Sequence, residues 1–304
     1  SMFLPGHVHV RCPGNIGLLA CLVQLFFPWK RKSFKYAGNW IDNKGQPISY
    51  RIQKWIISNC WLTRKSMALV YGKKPSDNGC VTNAFTATYS EKDKLQISIR
   101  SLISSEPIKL VFAGALIPGK NPLVAVETCR ILNENGFNAI LTICGSGQLS
   151  NEVLKYTQEH GLHDKVICNG NLSRNDLDVV YQSNHFLLMP SKSEGWPKSV
   201  AEAMWWGILP VVSPVSCVPD MLDHGRRGIL VAPDPSQNAK SILSIIENPE
   251  QYSCTTRTVK PNRQTSPSIS WVRKHPVLQP ALQVLLRQNS SVRVFANALF
   301  KYRK

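Results

Sequence analysis

Acidic residues are missing from the last fifty positions of this 304-residue chain. From Thr255 onward ten basic residues (Arg257, Lys260, Arg263, Arg273, Lys274, Arg287, Arg293, Lys301, Arg303 and Lys304) stand without one Asp or Glu. They carry more than half of the formal net charge of +17 and leave the remainder at about +7. Such a charge alone would suggest a polyanionic partner. No nucleic-acid-binding fold and no interleaving of aromatic with basic residues accompanies it, so no nucleic acid is expected as partner. Long hydrophobic runs are also lacking: the longest, Ile16 to Trp29, is broken by Gln24 and Pro28 and falls short of the roughly 20 residues that a spanning helix needs. Cysteine is present, nine times, but in odd number and never as a C-x-x-C pair. Neither a disulfide framework nor a zinc site is expected, and the usage suits a reducing compartment. The seven histidines form no H-x-x-x-H or H-E-x-x-H pattern, which leaves a catalytic metal unsupported. Asp223-His224 has no G-x-S-x-G serine to serve and reads as a surface turn. No repeat of solenoid or propeller period is found, and no signal-peptide pattern is seen near the first residues.

What is present fits two α/β domains, since 304 residues exceed one small core and 43% hydrophobic with 18% charged residues is an ordinary globular composition. Val8–Arg11 reads as a strand end, and Gly14–Phe27 as a buried helix with the solvated cluster Lys30-Arg31-Lys32 at its end. Contact of this apolar-plus-basic stretch with anionic lipid is the alternative. Ser33–Ala37 reads as a strand. Pro47–Leu62 reads as a helix with Ile48, Ile52, Trp55 and Ile56 on one side and Arg51 and Lys54 on the other. Met67–Tyr71 is a further strand, and Lys73–Ile103 a loop and hinge. From Ile108 apolar strands alternate with amphipathic helices: strands at Ile108–Ala113, Ala139–Cys144, Lys165–Cys168, His185–Met189, Leu209–Val212 and Gly228–Val231, helices at Leu123–Asn135, Gln148–His160, Asn175–Gln182 and Pro197–Trp206. Continuous apolar strands, each followed by a helix, describe a doubly wound parallel sheet.

Ligands of such sheets bind at the carboxyl ends of the strands, which directs attention to the loops Gly114–Lys120, Gly145–Gln148, Asn169–Ser173 and Ser191–Lys198. In SEGWPKSVAEAMWWG, Ser193 to Gly207, Pro197 suits a helix start. Glu194 is then left in the loop and Glu202 falls in the second turn. The helix start favours an anion such as a diphosphate, and the two carboxylates can converge from loop and helix. Gly145-Ser146-Gly147 invites a dinucleotide reading. The third glycine of that fingerprint is Ser150 here, and no acid ends the next strand at Cys168, so a dehydrogenase is not expected. Trp205 and Trp206 read as core residues.

The segment Ser191–Leu230, with the order E-G-x-P, E-A-M-x-x-G-x-P-V-V, V-P-D and G-x-L-V, resembles the donor-site segment of retaining glycosyltransferases of family 4, which have the two-Rossmann-domain GT-B fold. The likeness extends back through LVFAGALIPGKNPLVAVE and LTICGSGQL and covers about Val8 to Ser253. By that resemblance Glu202 binds the ribose hydroxyls of a nucleotide, and Glu194 the donor sugar near the developing oxocarbenium charge. Gly195, Trp196, Pro197, Lys198 and Ser199 contact sugar and diphosphate, and Lys120 neutralises the diphosphate leaving group. Gly114, Gly145 and Gly147 belong to loops over the nucleotide, and Asn169-Gly170 to the turn that meets the base. The family usually places an arginine five residues before that lysine; here the position is Ala115, which leaves either Lys198 to compensate or donor binding weak.

The resemblance implies three regions: residues 1–100, the later part of an acceptor-side Rossmann-like domain with a hinge; residues 101–252, a nucleotide-sugar-binding Rossmann-like domain; and residues 253–304, a basic tail, disordered or out of frame. Arg11 and Asn15 are expected to face the cleft. It further implies a cofactor-independent and metal-independent enzyme. Such an enzyme moves a sugar with retention from UDP-sugar or GDP-sugar to a saccharide or lipid-linked acceptor, in cell-surface polysaccharide synthesis. A cytoplasmic setting at the inner face of a bacterial membrane, with peripheral membrane contact, follows from the same likeness. The alternatives are a nucleotide-sugar-binding fragment that no longer turns over, and a basic peripheral membrane protein.

Overall fold

A parallel sheet needs crossovers, and the short helical stretches between its apolar strands supply them. The computed structural model describes residues 7–40, 46–71, 80–83, 102 and 106–258. The chain divides into two α/β units, Ser1–Asp93 with Asn262–Lys304, and Lys94–Pro261.

In the first unit β1 (His7–Cys12), β2 (Arg31–Asn39), β3 (Ser66–Tyr71) and β4 (Val81–Asn83) form a parallel sheet in that order. Helix α1 (Asn15–Val23) continues as a 3-10 turn through Phe26, and α2 is Ile48–Ser58. Both helices cover one face of the sheet. Cys21 of α1 and Ile56 and Ile57 of α2 share a core with Val10, Phe34, Tyr36 and Val70. Alternation along the strands sends His7, His9, Arg11, Ser33 and Lys35 to the opposite face. There the Ser33 hydroxyl lies 2.9 Å from His7 Nε2 and 2.8 Å from His9 Nδ1.

Four expectations for this unit are corrected. Helix α1 is not buried: Ile16, Leu19, Leu22 and Phe26 are exposed, and the buried stripe is Gly17, Cys21 and Gln24. The reason is close approach, since a Cβ on Gly17 would stand 2.8 Å from the Arg11 carbonyl oxygen and 2.9 Å from Gln53 Oε1. On α2, read as apolar on one side and basic on the other, Ile48, Ile52 and Trp55 are exposed while Gln53 and Lys54 are buried beside Ile56 and Ile57. Lys30-Arg31-Lys32 is not a solvated helix end: Arg31 and Lys32 open β2, and Lys32 is wholly buried, its amine 3.5 Å from the Arg64 carbonyl oxygen. Burial pulls the Lys32 pKa down. Cys60 and Cys80 form a disulfide with Cα atoms 5.6 Å apart, because strand pairing carries Cys80 back beside the end of α2. Within the segment expected to be loop, β4 is a strand; the rest of Lys73–Ile103 lies almost wholly outside the described residues.

The second unit runs β5 (Ile108–Ala113), α3 (Pro122–Glu134), β6 (Ala139–Cys144), α4 (Ser150–Glu159), β7 (Val166–Gly170), α5 (Arg174–Ser183), β8 (Phe186–Met189), α6 (Lys198–Trp205), β9 (Leu209–Val212), α7 (Val218–Met221), β10 (Ile229–Leu230), α8 (Pro235–Ile246) and α9 (Pro249–Thr258). All six strands are parallel, in the order β10-β9-β8-β5-β6-β7. Leu110, Val111, Phe112, Leu141, Ile143 and the whole of β8 and β9 are buried, which is why these strands read as uninterrupted apolar runs. Ser173 and Asp234 cap α5 and α8 by accepting from the amides of Asp176 and Gln237. Tyr252 of α9 is buried against Phe186, ring centroids 5.6 Å apart, so helical structure continues past residue 252, where a basic tail was expected to begin. Residues 259–304 lie outside the described part. The chain leaves β5 in one direction for β6 and β7, then crosses back to put β8 on the other side of β5. That reversal opens a crevice at the carboxyl ends of β5 and β8.

Candidate active site

Three strand-end loops of the second unit meet at this reversal, and backbone hydrogen bonds fix them to one another. The amide of Gly114 donates to the Cys144 carbonyl at 2.9 Å, that of Leu116 to Ser146 at 3.0 Å, and that of Gly145 to Gly170 at 2.7 Å. The loop after β5 is also tied to the loop after β8. Lys192 N donates to the Gly119 carbonyl at 2.8 Å, and the Asn121 amide side chain, on a left-handed residue, to the Pro190 carbonyl at 2.8 Å. The third tie is an ion pair, Lys120 Nζ with Glu194 Oε1. Glu194 is 9% exposed, and a carboxylate so buried needs its partner. The Gly195 carbonyl accepts from Cys217 Sγ at 3.2 Å and Ser216 Oγ at 3.4 Å, which holds the turn ahead of α6.

A cavity of about 300 Å³ lies between these loops and the start of α6. Lys120 and Glu194 border it, Glu202 enters from the second turn of α6, and Trp196, Pro197, Lys198 and Ser199 form the wall at the helix start. Helix α6 begins at Lys198, one residue later than expected, with Pro197 as its N-cap. The first amides of a helix have no partner within it, so this wall offers donors and the positive end of a dipole. The charged lining is two carboxylates and two ammonium groups. Glu202 Oε2 accepts from the Tyr181 hydroxyl at 3.2 Å. Burial raises the Cys144 thiol pKa to about 11, so at neutral pH the cavity floor is uncharged there.

Of the residues singled out in the sequence, Gly114 also lines the cavity, whereas Gly145, Gly147, Asn169, Gly170 and Gly195 do not. The glycines at 145 and 147 have a packing reason. A Cβ at Gly145, whose φ is +149°, would stand 1.9 Å from the Gly114 carbonyl oxygen, and one at Gly147 2.5 Å from that of Leu116. They let two loops touch. Asn169 is exposed, and Ala115, where the resembling family carries arginine, is exposed and outside the lining. Trp206 is buried and Trp205 half-buried, and neither borders the cavity. Arg11 and Asn15 are exposed in the first unit. Sequence reading missed Ala113, Cys144, Leu177 and Tyr181. The first two end strands β5 and β6, a signal that was available; Tyr181 is a buried helix residue whose spacing reads simply as core. Among the described residues no group of three or more His, Cys, Asp or Glu is arranged to hold a metal ion.

Comparison with known proteins agrees with this architecture. A galactosyltransferase of Escherichia coli, described as UDP-Gal:alpha-D-GlcNAc-diphosphoundecaprenol alpha-1,3-galactosyltransferase, is 29% identical over 232 residues, 69% of this chain and 57% of that protein. The amylovoran biosynthesis glycosyltransferase AmsK of Erwinia amylovora is 27% identical over 176 residues, 55% of this chain and 42% of that protein. The chain thus spans about half the length of these curated relatives. Among solved structures, Anabaena HepE, crystallised with UDP and glucose, superposes with a TM-score of 0.64 at 12% identity, covering 83% of this chain and 72% of that one. At that identity the likeness speaks to the fold, two Rossmann-like domains of the GT-B type. The family model for glycosyl transferases group 1 matches residues 93–259, more than half of the sequence and the whole of the cavity. The protein belongs to the glycosyl transferases group 1.

Proposed function

We propose that the cavity of the second unit holds a nucleoside diphosphate sugar, UDP-sugar or GDP-sugar, and that the protein transfers the sugar with retention and without metal or cofactor. The observation that carries this reading is the convergence of Lys120, Glu194 and Glu202, from two different loops and a helix, on one cavity at the start of α6. When the bond from the anomeric carbon to the diphosphate breaks, the electron pair goes to the leaving oxygen. Lys120, Lys198 and the first amides of α6 then meet a growing negative charge with fixed positive ones. Glu194 takes the sugar hydroxyls beside the electron-poor anomeric carbon, and Glu202, oriented by Tyr181, accepts from the ribose diol. Before the donor binds, Lys120 and Glu194 neutralise each other; the donor replaces that ion pair with its own diphosphate and hydroxyls.

The acceptor is a saccharide or lipid-linked saccharide, and the product belongs to cell-surface polysaccharide, made at the cytoplasmic face of the membrane. Relatives named for amylovoran biosynthesis and for a diphosphoundecaprenol-linked acceptor support the acceptor and product class. Ala115 favours a second reading, in which the chain binds donor without turning it over, since the loop lacks the cation that the family usually adds. Calorimetry with UDP and GDP, followed by nucleotide release assayed with a panel of acceptors, tests both. Binding with release supports transfer, binding alone supports the second reading, and failure to bind either nucleotide removes the site assignment.

A further inference from the structure

On the sheet face turned away from α1 and α2, the first unit gathers cations and imidazoles into a small array. Side chains of a strand alternate between faces, and neighbouring strands run about 4.8 Å apart. The register pairs His7 with Arg31, His9 with Ser33 and Arg11 with Lys35, so three rows cross β1 and β2 on this face. Successive rows lie about 6.6 Å from one another, two residues along each strand. Ser33, wholly buried, stands in the middle row, its hydroxyl 2.9 Å from His7 Nε2 and 2.8 Å from His9 Nδ1. Arg31 and Arg11, in the outer rows, are exposed, and Lys35 is half-buried with its ammonium 6.0 Å from the Tyr71 ring centroid. On β3 the residues in register with Ser33 and Lys35 are Met67 and Leu69, which bring no charge.

Left to itself this array is unfavourable. Arg11 opposite Lys35 sets like charges side by side, and the described residues of the unit contain no Asp or Glu to divide them. The imidazoles report the excess of positive charge: after burial, Arg31 lowers the pKa of His7, and His7, Lys35 and Arg11 lower that of His9. Ser33 has one hydroxyl proton and donates to only one of the two rings it touches. His7 Nδ1 is buried without a hydrogen-bond partner, so a proton placed there calls for an acceptor. An anion relieves each of these. Guanidinium forks and an ammonium match phosphate oxygens, and negative charge among the rows offsets the repulsion and favours imidazoles that donate. A metal cation has the wrong sign beside Arg11, Arg31 and Lys35.

We propose that His9, Arg11 and Lys35, with His7 and Arg31 beside them, form a binding site for a phosphate group, free or carried by a small sugar. It is separate from the donor cavity, every lining residue of which belongs to the second unit. The test follows the imidazole C–H signals of His7 and His9 by NMR in the full chain, assigned through His7→Gln and His9→Gln. Sodium phosphate is added at about pH 6.5, against sodium chloride of equal ionic strength. The two signals are expected to move saturably toward the protonated form, with half-saturation at about 1 mM or below and titration midpoints raised by about 1 in pH. Those of His160, His163 and His224 in the second unit should follow the chloride control, and Lys120→Ala should leave the response of His7 and His9 in place. Arg11→Gln and Lys35→Gln are each expected to weaken phosphate binding about tenfold, and the double variant about 100-fold. Because either change removes repulsion, thermal unfolding in chloride should stay the same or rise, which separates a lost site from a lost fold. A hexose phosphate with the same half-saturation supports a site that reads phosphate alone; tighter binding supports a sugar phosphate as the source. Signals that follow ionic strength alone overturn the proposal, as does an unchanged half-saturation in the double variant. None of these outcomes bears on nucleotide binding, so this site and the donor site stand or fall separately.

Discussion

The two α/β units have the same kind of sheet and opposite surfaces. The described part of the first carries nine cations and no acid, and exposes nine large hydrophobic side chains, Phe26 and three tryptophans among them. The described part of the second has twelve Lys or Arg against fifteen Asp or Glu, and among its large hydrophobics exposes only Ile117, Leu154, Ile167 and Val179. In the second unit apolar surface is spent on the core, and the unusual features are polar groups gathered in a crevice. In the first the core is closed with small residues, Gly17 and Cys21 on α1, and large ones remain outside. The fold is alike in both; what differs between their described parts is the distribution of charge and of exposed apolar surface.

The largest effect expected within this contrast comes from the ion pair of the second unit. Lys120→Ala removes a fixed cation where leaving-group charge develops and is expected to lower transfer by about 10²–10³-fold. Glu194→Ala should lower it comparably while nucleotide affinity is largely kept. Steady-state rates beside calorimetry with UDP and GDP check both, and a Glu194→Ala variant that keeps its rate would show that this carboxylate does not face the sugar.

Next in size is nucleotide affinity. Glu202→Ala deletes hydrogen bonds to a charged acceptor, worth roughly 1.5–3 kcal/mol, and is expected to weaken UDP or GDP binding by about 10- to 100-fold. Tyr181→Phe removes the hydroxyl that orients Glu202 from 3.2 Å and should cost about 2- to 10-fold. Calorimetry of both variants ranks them; a Tyr181→Phe loss equal to that of Glu202→Ala would mean that Tyr181 contacts the nucleotide itself.

The same contrast explains what could be seen in the sequence. In the second unit strands buried on both faces are continuous apolar runs, punctuated by Gly136, Gly161 and Gly207, so every strand and the main helices were legible to within a residue or two. Glu194, Glu202 and Lys120 border one cavity, as expected of residues at strand ends and helix starts, while the roles read for them came from the family resemblance. Tyr181 was not legible, since a buried helix residue looks the same whether its hydroxyl meets water, backbone or a site carboxylate. In the first unit periodicity located α1 and α2 but did not say which side of each is covered. A stripe such as Ile48, Ile52 and Trp55 states that one side is apolar and leaves open what covers it. Lys32 was read as solvated and Lys54 as lying opposite the apolar stripe. In the fold Lys32 meets a backbone carbonyl, and the Lys54 ammonium lies 5.8 Å from the Tyr36 ring centroid, partners that local sequence does not reveal.

The smallest expected effect is a pH dependence confined to the first unit. Burial, and then the charge of Arg31, lowers the pKa of His7; burial, followed by His7, Lys35 and Arg11, lowers that of His9. Both rings lie against the Ser33 hydroxyl on a sheet face that carries further cations and no acid among the described residues. In the unfolded chain these imidazoles titrate near their ordinary value of about 6.5. Below that pH the unfolded state holds more protons than the folded one, so stability rises with pH in this window. The contribution is complete above about pH 6.5 and is lost as pH falls through the depressed folded values. Both rings keep some solvent contact, which makes the loss modest. Hydrogen exchange between pH 7.5 and 5, corrected for intrinsic rates, should show protection falling in β1 and β2 while β6, which carries no histidine, holds its own. Replacing both histidines by Gln should flatten the dependence in β1 and β2. A parallel fall in the second unit, or a slope that survives the double replacement, would show that the acid sensitivity is a property of the whole chain and not of the two histidines of β1.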